Sequence, residues 1–119
     1  MKYMLLIYSD PANEPVYGTP EFGKMMEGYF KLNEKMQAEG AMLSGEGLKE
    51  AETSTTLRVR GGKVETMDGP FAETKEHLGG YYLIDVPDLD AALAYAVQIP
   101  SAEYGTVEIR PVMDYNPAP

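Results

Sequence analysis

Two helical segments, each placed between strand-like segments, are the feature that most limits what this chain can fold into. Residues 2–8 form a continuous apolar and aromatic run, which is typical of a strand in the middle of a sheet. Thr-Pro-Glu at 19–21 predicts the start of a helix, because threonine caps it, proline needs no hydrogen-bond donor there and the carboxylate faces its positive end. Apolar residues then recur at helical spacing over 22–36, and Gly40 predicts the end of the helix.

A short strand and a β-hairpin are predicted between the two helices. Residues 41–47 form the short strand candidate. Residues 55–60 and 63–67 both alternate polar and apolar side chains, and Gly61 and Gly62 separate them. Two glycines between alternating segments are typical of a two-residue hairpin turn.

The second helix also lies between two predicted strands. Residues 78–86 indicate a central strand, and Asp88 is the predicted N-cap of a helix that ends at Pro100. Residues 104–112 predict the last strand, and residues 117–119 predict a tail. The order β-α-β-(hairpin)-β-α-β predicts an α+β, ferredoxin-like fold with one antiparallel sheet and both helices on one face.

Such a sheet keeps one face uncovered by helices. By alternation along the strands, that face carries apolar and aromatic side chains from residues 3–8 and 81–84. A second copy of the chain is the simplest cover for it, so we expect a homodimer.

Length and composition indicate one domain and exclude several partners. The chain has 119 residues and no cysteine, so we expect one domain over residues 1–119 that is held by packing alone. The apolar run at 2–8 is shorter than a signal peptide or a membrane span, which favours a cytoplasmic protein with no membrane partner. A net charge of -9 repels phosphate groups, so direct nucleic-acid binding is not expected.

The most distinctive string is Asp-Gly-Pro-Phe-Ala-Glu-Thr-Lys-Glu at 68–76, followed by His-Leu-Gly-Gly-Tyr-Tyr at 77–82. Together with segments 1–8, 55–59 and 104–111, it resembles the DGPF-domain branch of the YCII-related family. The resemblance spans nearly the whole chain. It implies a dimeric α+β barrel, in which two ferredoxin-like sheets pack face to face.

The resemblance implies less about function than about fold. Members of the wider family are similar to small enzymes with a His-Asp pair in a cleft, and DGPF members are often encoded beside extracytoplasmic-function sigma factors. A sigma-factor partner is therefore a further implication. The wider family's histidine belongs near the first helix, where this chain has none, so no catalytic role carries over to His77, its one histidine.

Asp68 and His77 are the two candidate catalytic residues. An imidazole can act as a general base near neutral pH, and Asp68 or Glu73 would orient it if the loop folds back. The alternative is an exposed loop histidine. Asp68, Gly69 and Pro70 likewise admit two interpretations, a rigid turn or a carboxylate held beside a ligand cleft.

Four further residues are candidate ligand contacts, and each also has a structural explanation. Phe71 either anchors the loop in the core, which is the commoner use of an aromatic ring, or forms a pocket wall. Glu73 either contacts a ligand or belongs to a solvated surface. Gly80 follows Gly79 at the start of a strand, which indicates a cleft floor, a bulge or a close approach by another group. Arg110 either holds an anionic ligand group or pairs with an acidic neighbour in the same chain.

Two functions are open at this point. The first is a binding or regulatory protein that takes a small polar or aromatic molecule, or a protein partner such as a sigma factor. The alternative is a small acid/base enzyme, lyase-like or isomerase-like, that uses Asp68 with or without His77. The chain has one histidine, no cysteine and no dinucleotide fingerprint, so neither a dedicated metal site nor a cofactor is expected.

Overall fold

The structure is a computed structural model that describes residues 1–115, so the tail predicted at 117–119 lies outside the described residues. The strands are β1 (Lys2–Ser9), β2 (Met42–Gly47), β3 (Thr55–Arg60), β4 (Lys63–Asp68), β5 (His77–Asp85) and β6 (Thr106–Pro111). The helices are α1 (Pro20–Ala38) and α2 (Leu89–Ala96), with short 3-10 helices at Pro11–Asn13, Ala51–Thr53 and Pro100–Glu103.

Four strands form an antiparallel sheet in the order β2-β5-β1-β6, which is the strand order of a ferredoxin-like fold. β1 lies in the interior of this sheet, as its apolar run predicted. β3 and β4 pair with each other and form a separate two-stranded sheet. The predicted α+β, ferredoxin-like fold is therefore confirmed, but the strands divide into a main sheet and a hairpin instead of forming one sheet.

Both helices begin at the predicted capping residues. The Thr19 hydroxyl accepts a hydrogen bond from the Phe22 N–H at 3.3 Å, and the Asp88 carboxylate accepts one from the Ala91 N–H at 2.9 Å. Gly40 follows α1 with a φ of +70°. No helix within residues 1–115 combines the length and the apolar character that a membrane crossing needs.

The core lies between one face of the main sheet and the helices. Alternate residues of β1, namely Tyr3, Leu5 and Ile7, are buried on this face, where β5 places Tyr82 and Ile84. The other buried apolar residues are Leu32, Met36, Ala41, Val86, Ala92, Ala96 and Ile99. They come from α1, α2 and the segments next to them, so both helices cover the same face.

The opposite sheet face, called the open face below, carries Met4, Leu6 and Tyr8 from β1 and Tyr81 and Leu83 from β5. These five side chains are partly buried, in contrast to the fully covered residues that alternate with them. Leu6 pairs with Tyr81 and Met4 with Leu83 across the two strands, so the apolar side chains form a continuous patch. The predicted apolar and aromatic face is confirmed.

The hairpin of β3 and β4 is amphipathic and exposed. Gly61 and Gly62 form its turn with φ values of +56° and +77°, as a type I′ turn requires. One face carries the exposed apolar side chains of Leu57, Val59 and Val64. The molecule measures 53 × 47 × 18 Å, and the short dimension corresponds to one sheet with one layer of helices.

Gly105, which precedes β6, tests how closely its backbone packs against the end of β1. A Cβ at this position would lie 2.0 Å from the Tyr8 carbonyl oxygen, whereas a Cβ at Gly23 on α1 would meet no atom within 4 Å. We expect Gly105→Ala to lower the free energy of unfolding by about 1–3 kcal/mol, because the backbones must move apart. Gly23→Ala, the control, should raise it by about 0.5–1 kcal/mol. Urea unfolding measures both changes, and a Gly105→Ala protein as stable as the parent would contradict this packing.

Candidate functional site

A cleft lies between α1 and the main sheet, at the end where β1 and β2 finish and β5 begins. Its volume is about 440 Å³. We call it the helix–sheet cleft. One face of α1 lines it with two methionines and with Tyr29 and Asn33, which lie one turn apart. Tyr82 lines it from the sheet, and Glu14 and Ser101 line it from the connecting segments.

Glycines on the sheet make room for this cleft. Gly45 and Gly47 of β2 and Gly79 and Gly80 of β5 all line it, so no side chains from these positions fill the space under α1. A Cβ at Gly80 would lie 2.8 Å from the Glu46 carbonyl oxygen, which requires glycine at this position. The pairing of β1 with β5 also shifts register next to Gly79. Gly79 therefore lies at a bulge, and Gly80 lies where the backbones of β5 and β2 approach closely. Gly80 also forms part of the cleft floor.

Hydroxyl groups and one carboxylate form a polar cluster in the cleft. The Tyr29 and Ser101 hydroxyls share a hydrogen bond of 2.6 Å. The Ser9 hydroxyl donates a hydrogen bond to Oε1 of Glu14. Ser9 and Ser101 are the two buried polar residues in the part of the chain that the structure describes. Burial of a polar group is costly unless it is hydrogen-bonded, and both serines meet that requirement through cleft partners.

A second hydrogen bond links α1 to the sheet inside the cleft. The Tyr82 hydroxyl donates to Oδ1 of Asn33 at 2.6 Å. Burial raises the pKa of Tyr82 to about 12, and the nearby Tyr29 adds to the rise. Burial also raises the pKa of Tyr29, against the opposing effect of the Ser101 hydrogen bonds and with a further rise from the charge of Glu14. Both phenols are neutral at physiological pH, as tyrosines ordinarily are, and the raised pKa keeps them neutral to higher pH.

Asp68, Gly69 and Pro70 do not line this cleft. Asp68 is the last residue of β4 and is exposed, so it belongs to a strand and not to the loop in which the sequence placed it. Gly69 has a φ of +95°, and its N–H donates to the Ser54 carbonyl oxygen at 2.7 Å. The predicted turn is present, and glycine is needed for its backbone conformation.

Phe71 does not anchor the loop in the core of this chain. Its side chain is 73% exposed, and it borders an opening near the ends of β1 and β5 together with Pro70 and His77. The interpretation as an anchor was therefore wrong, because the ring of an anchoring residue would be buried against the core residues of this chain. Glu73 is exposed in the same loop.

His77 is the first residue of β5 and pairs with Ser9 of β1, so it is a strand residue and not a loop histidine. Its ring is partly buried. Among residues 1–115, the hydrogen-bond partner of the ring is the Thr74 hydroxyl, which lies 3.5 Å from Nδ1 of His77. The hydrogen bond from His77 to Asp68 or Glu73 that was predicted to orient the ring is not found among these residues.

Arg110 lies on the exposed edge strand β6 and pairs with a neighbour. Its Nη2 lies 3.0 Å from Oε1 of Glu108, two residues earlier on the same strand. Arg110 also pairs with Met4 across the sheet, which places it on the open face. Of the residues proposed from the sequence, Gly80 alone lines the helix–sheet cleft.

Sequence reasoning missed Ser9, Glu14, Tyr29, Asn33 and Ser101 as a group. The spacing of Tyr29 and Asn33 on one helix face was a usable signal. Glu14 and Ser101 lie in connecting segments that are 87 positions apart in the sequence, and only the fold brings them to one cleft.

The fold and the site define a ferredoxin-like α+β domain with a polar cleft between its first helix and its sheet. The sequence matches the model of the YCII-related domain over residues 1–116, and the chain belongs to this family. An uncharacterised protein of Rhizobium meliloti (strain 1021) is 35% identical over 119 residues, which cover 98% of this chain and 96% of that relative. The resemblance to the YCII-related family is therefore confirmed.

A solved structure is also among the proteins to which this chain is similar. It is the 5-chloro-2-hydroxyhydroquinone dehydrochlorinase of Burkholderia phenoliruptrix AC1100, in complex with 2,5-dihydroxybenzoquinone. The TM-score is 0.49 at 9% sequence identity, and the match covers 95% of this chain and 94% of that chain.

The raised pKa of Tyr82 makes a prediction about alkaline stability. Because the pKa rises from 10.0 to about 12 on folding, the unfolded chain ionises first as the pH increases. The contribution of Tyr82 to the free energy of unfolding is fully present below pH 10.0 and is lost as the pH rises toward about 12. Tyr82→Phe should lower the free energy of unfolding by about 1 kcal/mol at neutral pH, through loss of the bond to Asn33. It should also make the alkaline decline shallower. Urea unfolding across this pH range measures both effects, and parallel declines in parent and variant would contradict the assignment.

Proposed function

We propose that this chain is a homodimeric binding protein that takes a small polar or aromatic molecule in its helix–sheet cleft. The observation that supports it is the cleft itself, a space of about 440 Å³. Two hydrogen-bonded pairs border it, Tyr29 with Ser101 and Tyr82 with Asn33. This volume lies within the roughly 300–1,000 Å³ of small-molecule sites.

The chemistry of the cleft favours a compact ligand with an apolar body and a few polar groups. Met25, Met26 and Met42 supply adaptable apolar walls. Tyr29 and Tyr82 add aromatic rings with neutral hydroxyls, and burial raises the pKa of each further above physiological pH. Glycines keep the floor open. Apolar walls with few and well-placed polar groups are typical of ligand sites.

Homodimerisation is the second part of the proposal. The apolar patch of the open face crosses the two central strands and is flanked by polar residues of the edge strands, among them Glu108 and Arg110 on β6. A self-complementary patch of this kind suits a two-fold interface between copies of one chain. Face-to-face packing of two such sheets is also what the family resemblance implies.

A small acid/base enzyme is the second candidate function. Its support is the opening bordered by Pro70, Phe71 and the partly buried ring of His77. An imidazole can both accept and donate a proton. In this proposal His77 is the acid or base, Asp68 acts from the end of β4 and Glu73 from the loop that follows it. Arg110 lies opposite Met4, at the other end of β1 from His77, and takes no part at this opening. A sigma-factor partner, which the family resemblance implies, and a cytoplasmic location are further proposals.

The two candidate sites can be separated with one set of variants. Gly47→Leu should place a side chain in the helix–sheet cleft without a clash, since a Cβ there would meet no atom within 4 Å. A ligand found by thermal-shift screening stabilises the parent by about 2.7 kcal/mol at 100 times its Kd. We expect this stabilisation to disappear in Gly47→Leu and to persist in Asp68→Asn and His77→Gln.

Gly23→Leu is the matched control for the added leucine, because a Cβ at Gly23 also meets no atom within 4 Å and this residue does not line the cleft. It should retain the stabilisation. Ligands that still bind Gly47→Leu but lose affinity for Asp68→Asn or His77→Gln would contradict the cleft proposal and favour the acid/base enzyme.

The dimer proposal predicts a change of mass. Leu6→Asp places a carboxylate in the centre of the open face, opposite Tyr81, where burial of an unpaired charge is costly. We expect light scattering to give twice the chain mass of 13.1 kDa for the parent and the single mass for Leu6→Asp. Val97→Asp, at a residue 76% exposed after α2, should leave the dimer intact. A monomeric parent would overturn the proposal.

A further inference from the structure

The charges that border the helix–sheet cleft are all negative. Glu14 and Glu46 are the charged residues among the described residues that line it, and no lysine, arginine or histidine lines it. The two carboxylates differ in position. Glu46 pairs with Tyr81, whose side chain lies on the open face, so the Glu46 side chain points away from the cleft and its backbone forms the rim.

Glu14 is the carboxylate that faces the cleft. It accepts the hydrogen bond of the buried Ser9 hydroxyl, and its charge acts on the Tyr29 phenol on the other side of the space. It follows the short 3-10 helix Pro11–Asn13, which holds it over the end of β1. The carboxylate is therefore placed between the sheet and α1.

Glu14 has no cationic partner within the described residues. The ion pairs found there join Met1 to Asp85, Lys31 to Glu27 and Arg110 to Glu108. Lys49 and Lys75 border the neighbouring opening that Glu14 also lines, but neither forms an ion pair with it within 4.0 Å. A partly buried carboxylate with one hydroxyl partner has unused acceptor capacity, and it gains most from a donor that carries positive charge.

The neutral groups of the cleft also suit a cation. Aromatic rings such as those of Tyr29 and Tyr82 attract ammonium groups through their faces. The Ser101 and Tyr29 hydroxyls have oxygen lone pairs that accept N–H donors. An anionic ligand would instead meet Glu14 and the overall charge of -9 without a compensating cation in the cleft.

We infer that the ligand of the helix–sheet cleft is a compact amine, protonated at neutral pH, whose ammonium group pairs with Glu14 while its apolar part contacts the methionine walls. This inference rests on the proposed function, since it names the ligand class of the same cleft.

Three probes of one shape and different charge test this inference. Tyramine is a cation, tyrosol carries a neutral hydroxyl in place of the amine, and 4-hydroxyphenylacetate is an anion. Isothermal titration calorimetry should show that the protein binds tyramine at least about tenfold more tightly than tyrosol, as a charge-assisted hydrogen bond implies. The anion should bind most weakly.

Glu14→Gln removes the charge and keeps an oxygen that accepts the Ser9 hydroxyl. It should reduce tyramine affinity about tenfold, to the level of tyrosol, with tyrosol affinity unchanged. Glu34→Gln is the control, because it makes the same change in net charge at an exposed residue of α1 outside the cleft lining. It should leave all three affinities as they are.

The outcomes distinguish failure of the inference from failure of the proposed function. If tyrosol or the anion binds as tightly as tyramine, and Gly47→Leu abolishes that binding, the cleft is a ligand site but the amine assignment is wrong. The same conclusion follows if none of the three binds at millimolar concentration while another ligand depends on the open cleft. If binding of every ligand survives in Gly47→Leu, the proposed function is wrong as well.

Discussion

The need to bury apolar side chains on both faces of β1 shapes the rest of this structure. Tyr3, Leu5 and Ile7 are covered by the helices, whereas Met4 and Leu6, on the other face, remain partly exposed. The thickness of 18 Å corresponds to the sheet and one layer of helices, so no second layer covers the open face. The interior strand thus explains the core and also the patch on which the dimer proposal rests.

The helix–sheet cleft arises from the same arrangement. Toward the end of β1, the apolar residues that fill the core give way to Ser9, and the facing positions on β2 and β5 are glycines. Helix α1 therefore continues past the filled part of the core and leaves a space bordered by Tyr29 and Asn33. Hydrogen bonds to Ser101 and Tyr82 satisfy these groups, so the polar cluster is compatible with burial.

Sequence reasoning succeeded where the physical signal is local. Thr19 and Asp88 cap the helices through bonds to residues three positions away, and Gly61 and Gly62 form a turn that needs positive φ values. It failed for the position of Phe71, since burial of a loop residue depends on which surface the loop crosses. The distinctive string at 68–76 drew attention to the exposed loop beside the cleft, while the paired polar groups lie under α1.

The sequence by itself determined the α+β class, the order of the elements, the starts of both helices and the apolar character of the open face, whereas α2 ends at Ala96 and not at the predicted Pro100. These properties follow from the period of the side-chain pattern and from contacts within a few residues. The cleft was decided by the tertiary structure alone. Its Ser9, Glu14, Tyr29 and Ser101 come from four separate segments of the chain, and their meeting depends on strand register and on the distance that glycines leave between α1 and the sheet. No local pattern encodes that distance, because it is a property of packed elements and not of any one segment.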